Sequence, residues 1–227
     1  MNKDTKTTGN RYFEGGRNFK KELIIAGGLI FVSIVLSFIP FGRKFGFMLY
    51  LLSSLPGIVG IIMLVSLFTG RITDSGYNEY MENQLVNLWS NQTETEGAVP
   101  DHTIIEYECV GEAVTRKKKG SDNKIRTDIL CRTELFFEPG ALRVKQGFAQ
   151  ADGENARMQT ATLPMSKVTA SIETRTNAQL DSLTKSYMAL SVEGGEPVAF
   201  PIPENDYDME ALMEKINHTR DRAAAEE

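Results

Sequence analysis

Two apolar runs near the N-terminus decide how the chain is expected to fold. The first, LIIAGGLIFVSIVLSFI, covers residues 23–39, and the second, GFMLYLLSSLPGIVGIIMLVSLFTG, covers residues 46–70. Neither run contains a charged residue. A helix that crosses the hydrocarbon core of a bilayer needs roughly 20 apolar residues, with about 17 as the lower limit. The two runs therefore predict a transmembrane helical hairpin (residues 23–70), with a tight turn at 40–45.

The basic residues beside these runs predict how the hairpin is oriented. Seven lie near its outer ends and two lie in its turn. Because Lys and Arg are retained on the cytoplasmic side, both termini are expected in the cytoplasm of a multi-pass cell-membrane protein. With no charge inside either run, the hairpin serves as an anchor or packing element rather than an ion pathway. The flanking residues are Lys3, Lys6, Arg11, Arg17, Lys20, Lys21 and Arg71, against Arg43 and Lys44 in the turn.

Small residues recur along both predicted helices. They allow close approach of two helix backbones. They either let the two helices of one hairpin touch, or form a face through which two copies of the chain dimerise. These residues are Ser33, Ser37, Ser53, Gly57 and Gly60.

The rest of the chain divides by composition into a polar tail (1–22), a juxtamembrane helix and linker (71–101), a soluble domain (102–219) and a frayed tail (220–227). An apolar stripe at helical spacing predicts the short juxtamembrane helix. This helix either lies on the membrane surface or packs against the soluble domain. The stripe consists of Tyr77, Met81, Leu85 and Leu88.

Alternating β-forming segments predict about seven strands in the soluble domain, followed by one amphipathic helix with Met209, Leu212 and Ile216 on its apolar face. The expected class is α+β. Residues 104–115 and 125–137 are expected to pair as a hairpin around a charged tip. Centred on residue 120, that hairpin places Cys109 opposite Cys131, which allows either a disulfide or, in a reducing compartment, two buried thiols.

Four sequence features follow one another across residues 133–217. They are TELFFEPGALRV at 133–144, TLPMSKV at 162–168, a glycine-containing hairpin within 187–202, and the closing helix at 207–217. In this order they resemble pleckstrin-homology-like domains of the GRAM and bacterial type. Lys167 departs from that family, which usually has an acidic residue there. The resemblance implies a curved antiparallel sheet or barrel closed by the C-terminal helix.

A basic cluster at the tip of the first hairpin is the candidate binding site. Lys118, followed by Lys124-Ile125-Arg126, is similar to the spacing with which lipid-binding pleckstrin-homology domains hold phosphorylated headgroups. Near a bilayer such a cluster is attracted to anionic lipid by roughly 1 kcal/mol per charge. Alternatively, the charges only keep a solvated loop soluble. The cluster comprises Arg116, Lys117, Lys118, Lys119, Lys124 and Arg126.

Two short patterns in the chain match the acceptor for N-glycosylation, at Asn91-Gln92-Thr93 and Asn217-His218-Thr219. They have meaning only in a secretory lumen. With both termini predicted in the cytoplasm, they are chance matches.

Composition and motifs exclude several classes of function. A net charge of −5 argues against a nucleic-acid binder. No catalytic constellation and no metal-ligand spacing is present, so the sequence predicts no enzyme, no metal and no cofactor. It predicts a membrane-anchored, non-enzymatic binding or adaptor protein whose partners are the bilayer, anionic headgroups or a protein. The alternative is a small structural subunit of a larger membrane complex, or a homo-oligomer, packed through the hairpin.

Overall fold

The chain divides into two compact units. One is formed by Asn10–Thr73, and the other by Met1–Gly9 together with Asp74–Glu227. The computed structural model describes residues 9, 11–13, 19–38, 46–69, 72–90, 99–111, 113–203 and 207–226. The predicted turn at 40–45 and most of the linker after Ser90 lie outside the described residues.

Within the described residues of the first unit, the two long helices are α1 (Phe19–Ser37) and α2 (Gly46–Thr69). Among the described residues, no helix is long and apolar enough to cross a membrane. In α1, Lys21 and Glu22 precede an uncharged part that is shorter than the roughly 17 residues a span requires. This finding contradicts the predicted transmembrane hairpin, and with it the multi-pass cell-membrane localisation.

Small residues bring α1 and α2 together. The hydroxyl of Ser33 donates to the carbonyl of Ser53 at 2.7 Å. A Cβ at Gly57 would lie 2.7 Å from the Ser33 hydroxyl, and a Cβ at Gly60 would lie 2.8 Å from the Ala26 carbonyl oxygen. Both distances are too short for a real side chain, so glycine is required at the two positions. The small residues thus serve the contact between the helices of one chain.

The second unit has an α+β architecture with antiparallel strands throughout. One sheet has the strand order β1-β4-β5-β6, a second has β2-β3, and a third has β7-β8-β9. Two 3₁₀ turns, Met165–Lys167 and Ala178–Leu180, flank β7. The elements are α3 (Asp74–Ser90), β1 (His102–Tyr107), β2 (Lys117–Lys119), β3 (Ile125–Thr127), β4 (Ile129–Glu138), β5 (Ala141–Gln150), β6 (Arg157–Pro164), β7 (Val168–Asn177), β8 (Leu183–Val192), β9 (Val198–Pro201) and α4 (Tyr207–Glu226).

The predicted single curved sheet or barrel is wrong, because the described strands form three separate sheets and no closed barrel. Asp128 is one physical cause. This buried carboxylate lies between β3 and β4 and accepts hydrogen bonds from the Thr115 amide at 3.1 Å and the Thr115 hydroxyl at 2.6 Å. It therefore interrupts the predicted first hairpin, so that β1 pairs with β4 while β2 pairs with β3.

The same interruption changes the register of the two cysteines. Cys131 lies opposite Glu106 rather than Cys109, and both thiols are free and buried. Burial raises the pKa of the Cys131 thiol to about 12. Because the thiolate is the reactive form, we expect Cys131 to be chemically inert in the folded chain.

A continuous apolar core fills the space between the two larger sheets and beneath α4. The helix contributes its predicted apolar stripe, since Met209, Leu212 and Ile216 are buried there. The strands contribute side chains at alternate positions, as expected for sheets with one buried face. The largest of these are Leu135, Leu142, Met188, Leu190 and Phe200.

Helix α3 packs on the outer face of β4 and β5. Its buried side chains are Tyr77, Met81 and Leu85. Near its end, Trp89 lies directly over Gly147 of β5, where an added Cβ would be only 1.9 Å from ring atom Cζ3. Of the two interpretations of the apolar stripe, the structure therefore shows packing against the sheet.

Candidate functional site

Strand β1 forms one edge of the four-stranded sheet, because β4 is its only neighbour among the strands that the structure describes. Residues of an antiparallel pair alternate between hydrogen-bonded and non-hydrogen-bonded positions. Glu108, just after β1, donates its N–H to the Ile129 carbonyl at 3.0 Å, which fixes the phase of the alternation. Ile105, opposite Arg132, therefore occupies a non-hydrogen-bonded position. Its N–H and C=O point away from β4, towards the outside of the sheet.

The open part of this edge ends at Tyr107. The Tyr107 N–H donates to the Glu106 carboxylate at 2.8 Å, and the Tyr107 carbonyl accepts from the Lys185 ammonium at 3.0 Å. Lys185 also forms an ion pair with Glu106. These contacts satisfy the outward main-chain groups of Tyr107 and stop the open edge there.

A cleft of about 540 Å³ lies beside β1. Helix α3 contributes Asn78 and Glu82, strand β1 contributes Ile105, and β8 contributes Leu183 and Thr184. The turn before β3 and strand β3 itself add to the lining, as do Leu130 of β4 and Pro203. The volume is within the range of about 300–1,000 Å³ that is typical of ligand-binding pockets.

Arg126 builds one wall of the cleft. Only 2% of the residue is exposed. Its guanidinium donates to both carboxylate oxygens of Asp122, at 2.8 and 2.6 Å, and to the Asn78 amide oxygen at 2.7 Å. The Tyr107 hydroxyl donates to the same amide oxygen at 2.9 Å. The guanidinium holds the pKa of the Asp122 carboxyl far below its usual value. Arg126 thereby fixes α3, β1 and β3 relative to one another.

The six basic residues of the predicted tip do not form one open basic surface. Arg126 is buried in the wall just described. Arg116 is paired with Asp128, its Nε lying 3.4 Å from a carboxylate oxygen. Lys117 donates to the Leu180 carbonyl at 2.6 Å and is 3.2 Å from a carboxylate oxygen of Asp181.

The other three members of the cluster are placed differently from one another. Lys118 and Lys119 lie on β2, opposite Arg126 and Ile125, and Lys124 lines the cleft. Binding of anionic headgroups by this tip stays a prediction, although ion pairs within the chain already use at least three of its six charges.

Sequence reasoning missed the residues that close the β1 edge. Neither Glu106 nor Lys185 is singled out by a sequence motif. One signal was available: Lys185 shares the face of β8 with Leu183 and Tyr187, both of which are buried. A lysine at a buried position is almost always paired, so its placement pointed to an acidic partner from another strand.

A second polar cluster joins the two larger sheets below the cleft. The Tyr187 hydroxyl donates to the Glu108 carboxylate and accepts from the Cys109 amide at 2.9 Å. Burial raises the pKa of Tyr187 above its ordinary value, and burial also raises the pKa of Cys109. Both shifts favour the protonated forms, which are poor nucleophiles and bases. The cluster is therefore suited to holding the sheets together.

In the part of the chain that the structure describes, no group of three or more His, Cys, Asp or Glu side chains could hold a metal ion. Comparison with protein-family models, with curated proteins and with solved structures finds no match. The resemblance to pleckstrin-homology-like domains is therefore not supported. Its short motifs describe strand–turn–strand and hairpin patterns that many antiparallel sheets share.

Proposed function

We propose that the chain is a non-catalytic binding module and that the cleft beside β1 is where it binds a protein partner. The observation that carries the proposal is the composition of the cleft. Its inner surface includes the buried side chains of Leu130 and Leu183, whereas polar groups of α3 and the β3 turn surround them. An apolar centre with a polar rim is the arrangement found in protein recognition sites.

The charges of the cleft favour a partner that is neutral where it binds. Three acidic and three basic side chains line it, so their formal charges cancel. Two ion pairs, Arg126 with Asp122 and Lys185 with Glu106, account for four of them. Nucleic acids and anionic headgroups require a surplus of positive charge. A protein segment with few charges matches the cleft better.

The test uses the full chain and a phage-displayed library of random decapeptides. Peptides are selected on the wild-type chain, and their dissociation constants are measured by calorimetry for two variants. Glu82→Trp fills the cleft from the exposed surface of α3, whereas Glu79→Trp adds the same side chain on the same helix outside the cleft lining. We expect Glu82→Trp to weaken binding at least 10-fold and Glu79→Trp to leave it unchanged. Equal affinity for both variants contradicts the proposal.

A second candidate function, that of a structural subunit of a homo-oligomer, is favoured by the first unit. Apolar side chains on α1 and α2 are exposed, among them Ile24 at 72%, Phe31 at 66% and Ile62 at 59%. Exposed apolar side chains in such number mark an interaction surface. Analytical ultracentrifugation of the full chain tests this candidate. We expect self-association that weakens in a variant with Phe31→Asn and Ile62→Asn, and a monomeric wild-type chain contradicts it.

A further inference from the structure

We infer that the partner segment is an extended peptide that adds a strand to the edge of β1, with one of its residues paired to Ile105. The inference rests on the proposed function, because it assumes that the cleft beside β1 is the binding site. It goes further by naming the conformation of the partner, its register and the chemistry of its side chains.

The first argument concerns the main chain of β1. Thr103 and Ile105 both occupy non-hydrogen-bonded positions against β4, so each directs an N–H and a C=O outwards. An added strand can exchange two hydrogen bonds with each of them. Exposed sheet edges bind peptides in this way, and the main-chain hydrogen bonds supply the affinity. Ile105 is also 42% exposed, which leaves room for a neighbouring strand.

The second argument concerns register. Both outward groups of Tyr107 are occupied, one by Glu106 and the other by Lys185. A peptide therefore cannot continue pairing beyond Ile105 in that direction. The ion pair sets the limit of the added strand, and with it the residue that faces Ile105.

The third argument concerns side chains. The two faces of β1 point to different surroundings, since Tyr107 stacks on Tyr77 of α3 at 6.0 Å between ring centroids, whereas Glu106 contacts Lys185 of β8. Paired residues of adjacent strands share a face. The peptide residue opposite Ile105 therefore faces α3, where Glu82 favours a basic or amide side chain. Its two neighbours face β8, where Leu183 favours apolar side chains.

The experiment uses the full chain and the peptides selected on it, each resynthesised with a single N-methylated amide at successive positions. N-methylation removes one donor. We expect it to weaken binding at least 10-fold at the residue paired with Ile105 and less than about 2-fold at the two neighbours, whose amides point away from β1. Hydrogen exchange should show the Ile105 amide protected only in the complex. This scan requires no variant of the protein.

A protein variant supplies an independent measurement. Ile105→Pro removes the outward donor without removing a hydrogen bond to β4, and proline is tolerated at such edge positions. We expect it to weaken binding, whereas Ile105→Val retains the donor and should bind as the wild type does. Circular dichroism confirms that both variants fold.

The outcomes separate the two proposals. Peptides that are sensitive to Glu82→Trp but show no alternation on N-methylation would disprove strand addition, and the cleft would remain the binding site. Failure of every selected peptide to respond to Glu82→Trp would overturn both. Sensitivity to Glu82→Trp together with alternation centred on Ile105 supports both.

Discussion

The edges of β1 and β7 show two ways of closing the side of a sheet. At β7, the Asn217 side chain of α4 occupies both outward groups of Ala170, accepting from the N–H and donating to the C=O at 3.0 Å each. At β1, a carboxylate and an ammonium from two strands occupy the outward groups of Tyr107. Unpaired edges invite pairing with other chains, so both arrangements limit it.

The difference between the two closures lies in the charge of the groups that make them. Asn217 is neutral and supplies donor and acceptor from one side chain, so it closes β7 without the cost of burying a charge. The Glu106–Lys185 pair removes two charges from water, which is costly unless each partner is well bonded. The Glu106–Lys185 pair closes the outward groups of Tyr107. The next residue of β1 that faces outwards is Ile105, which lies beside the cleft. The Asn217 closure therefore fits a role in packing, whereas our proposal assigns to the Glu106–Lys185 closure the end of a binding edge.

The largest expected loss of stability comes from the interior of the four-stranded sheet, and it serves as the reference for the two edges. Gly147→Ala places a Cβ where Trp89 lies and should destabilise the second unit by about 3 kcal/mol, as overpacking does. Urea unfolding followed by fluorescence of the single tryptophan measures the loss. Gly195→Ala, where the nearest atom would be 3.5 Å away, is the control and should change stability little. A tolerated Gly147→Ala would mean that α3 is not held to the sheet by this contact.

The next largest loss of stability is expected when the ion pair that closes β1 is broken. Lys185→Met leaves Glu106 without its cation and should cost about 2 kcal/mol, below the range for fully buried pairs because the carboxylate is partly exposed. The double variant Lys185→Met with Glu106→Gln should recover part of that loss, since it removes the uncompensated charge. Additive losses in the double-mutant cycle would show that the two side chains do not act together.

Removing the neutral side chain that closes β7 should reduce stability by a smaller amount. Asn217→Ala leaves the N–H and C=O of Ala170 unpaired and should destabilise the second unit by about 1.5 kcal/mol in urea unfolding. His218→Ala, at the neighbouring exposed position on α4, is the matched control. Because Glu106 is partly exposed, high salt should weaken the contribution of Lys185 slightly and leave that of Asn217 unchanged. Equal salt dependence would remove the distinction between the two edges.

The smallest effect is the pH dependence of the cleft wall. Because Arg126 lowers the pKa of Asp122 in the folded chain, the carboxylate contributes stability above the unfolded pKa of about 3.9. That contribution is lost as the pH falls further, towards the folded pKa. Asp122→Asn should therefore lose less stability than the wild type between about pH 4 and pH 2. If stability falls equally with pH below pH 4 in the wild type and in Asp122→Asn, the Asp122–Arg126 pair contributes nothing to stability.

Local patterns in the sequence predicted several elements well. The apolar stripe at Met209, Leu212 and Ile216 corresponds to the buried face of α4, and Gly194-Gly195 lies in the turn between β8 and β9. Such features depend on residues a few positions apart, so the sequence alone contains the information. The small residues of α1 and α2 likewise indicated where those helices touch.

Other features depended on partners that are distant in the chain. The polar composition of residues 147–157 gives no local sign of a strand, yet β5 continues to Gln150, which pairs with Ile129 of β4. The basic cluster was visible in the sequence, but its pairing with Asp122, Asp128 and Asp181 was not. The apparent sequon residue Asn217 proved to close the β7 edge.

The sequence by itself determined the composition of each element and the residues available for contact. Only the tertiary structure decided the register of β1 against β4, and therefore which of its main-chain groups face outwards. Register depends on how strands far apart in the chain meet, and here the buried carboxylate of Asp128 interrupts the pairing that local spacing predicted. For that reason Ile105, an ordinary strand residue in the sequence, becomes the centre of the candidate site.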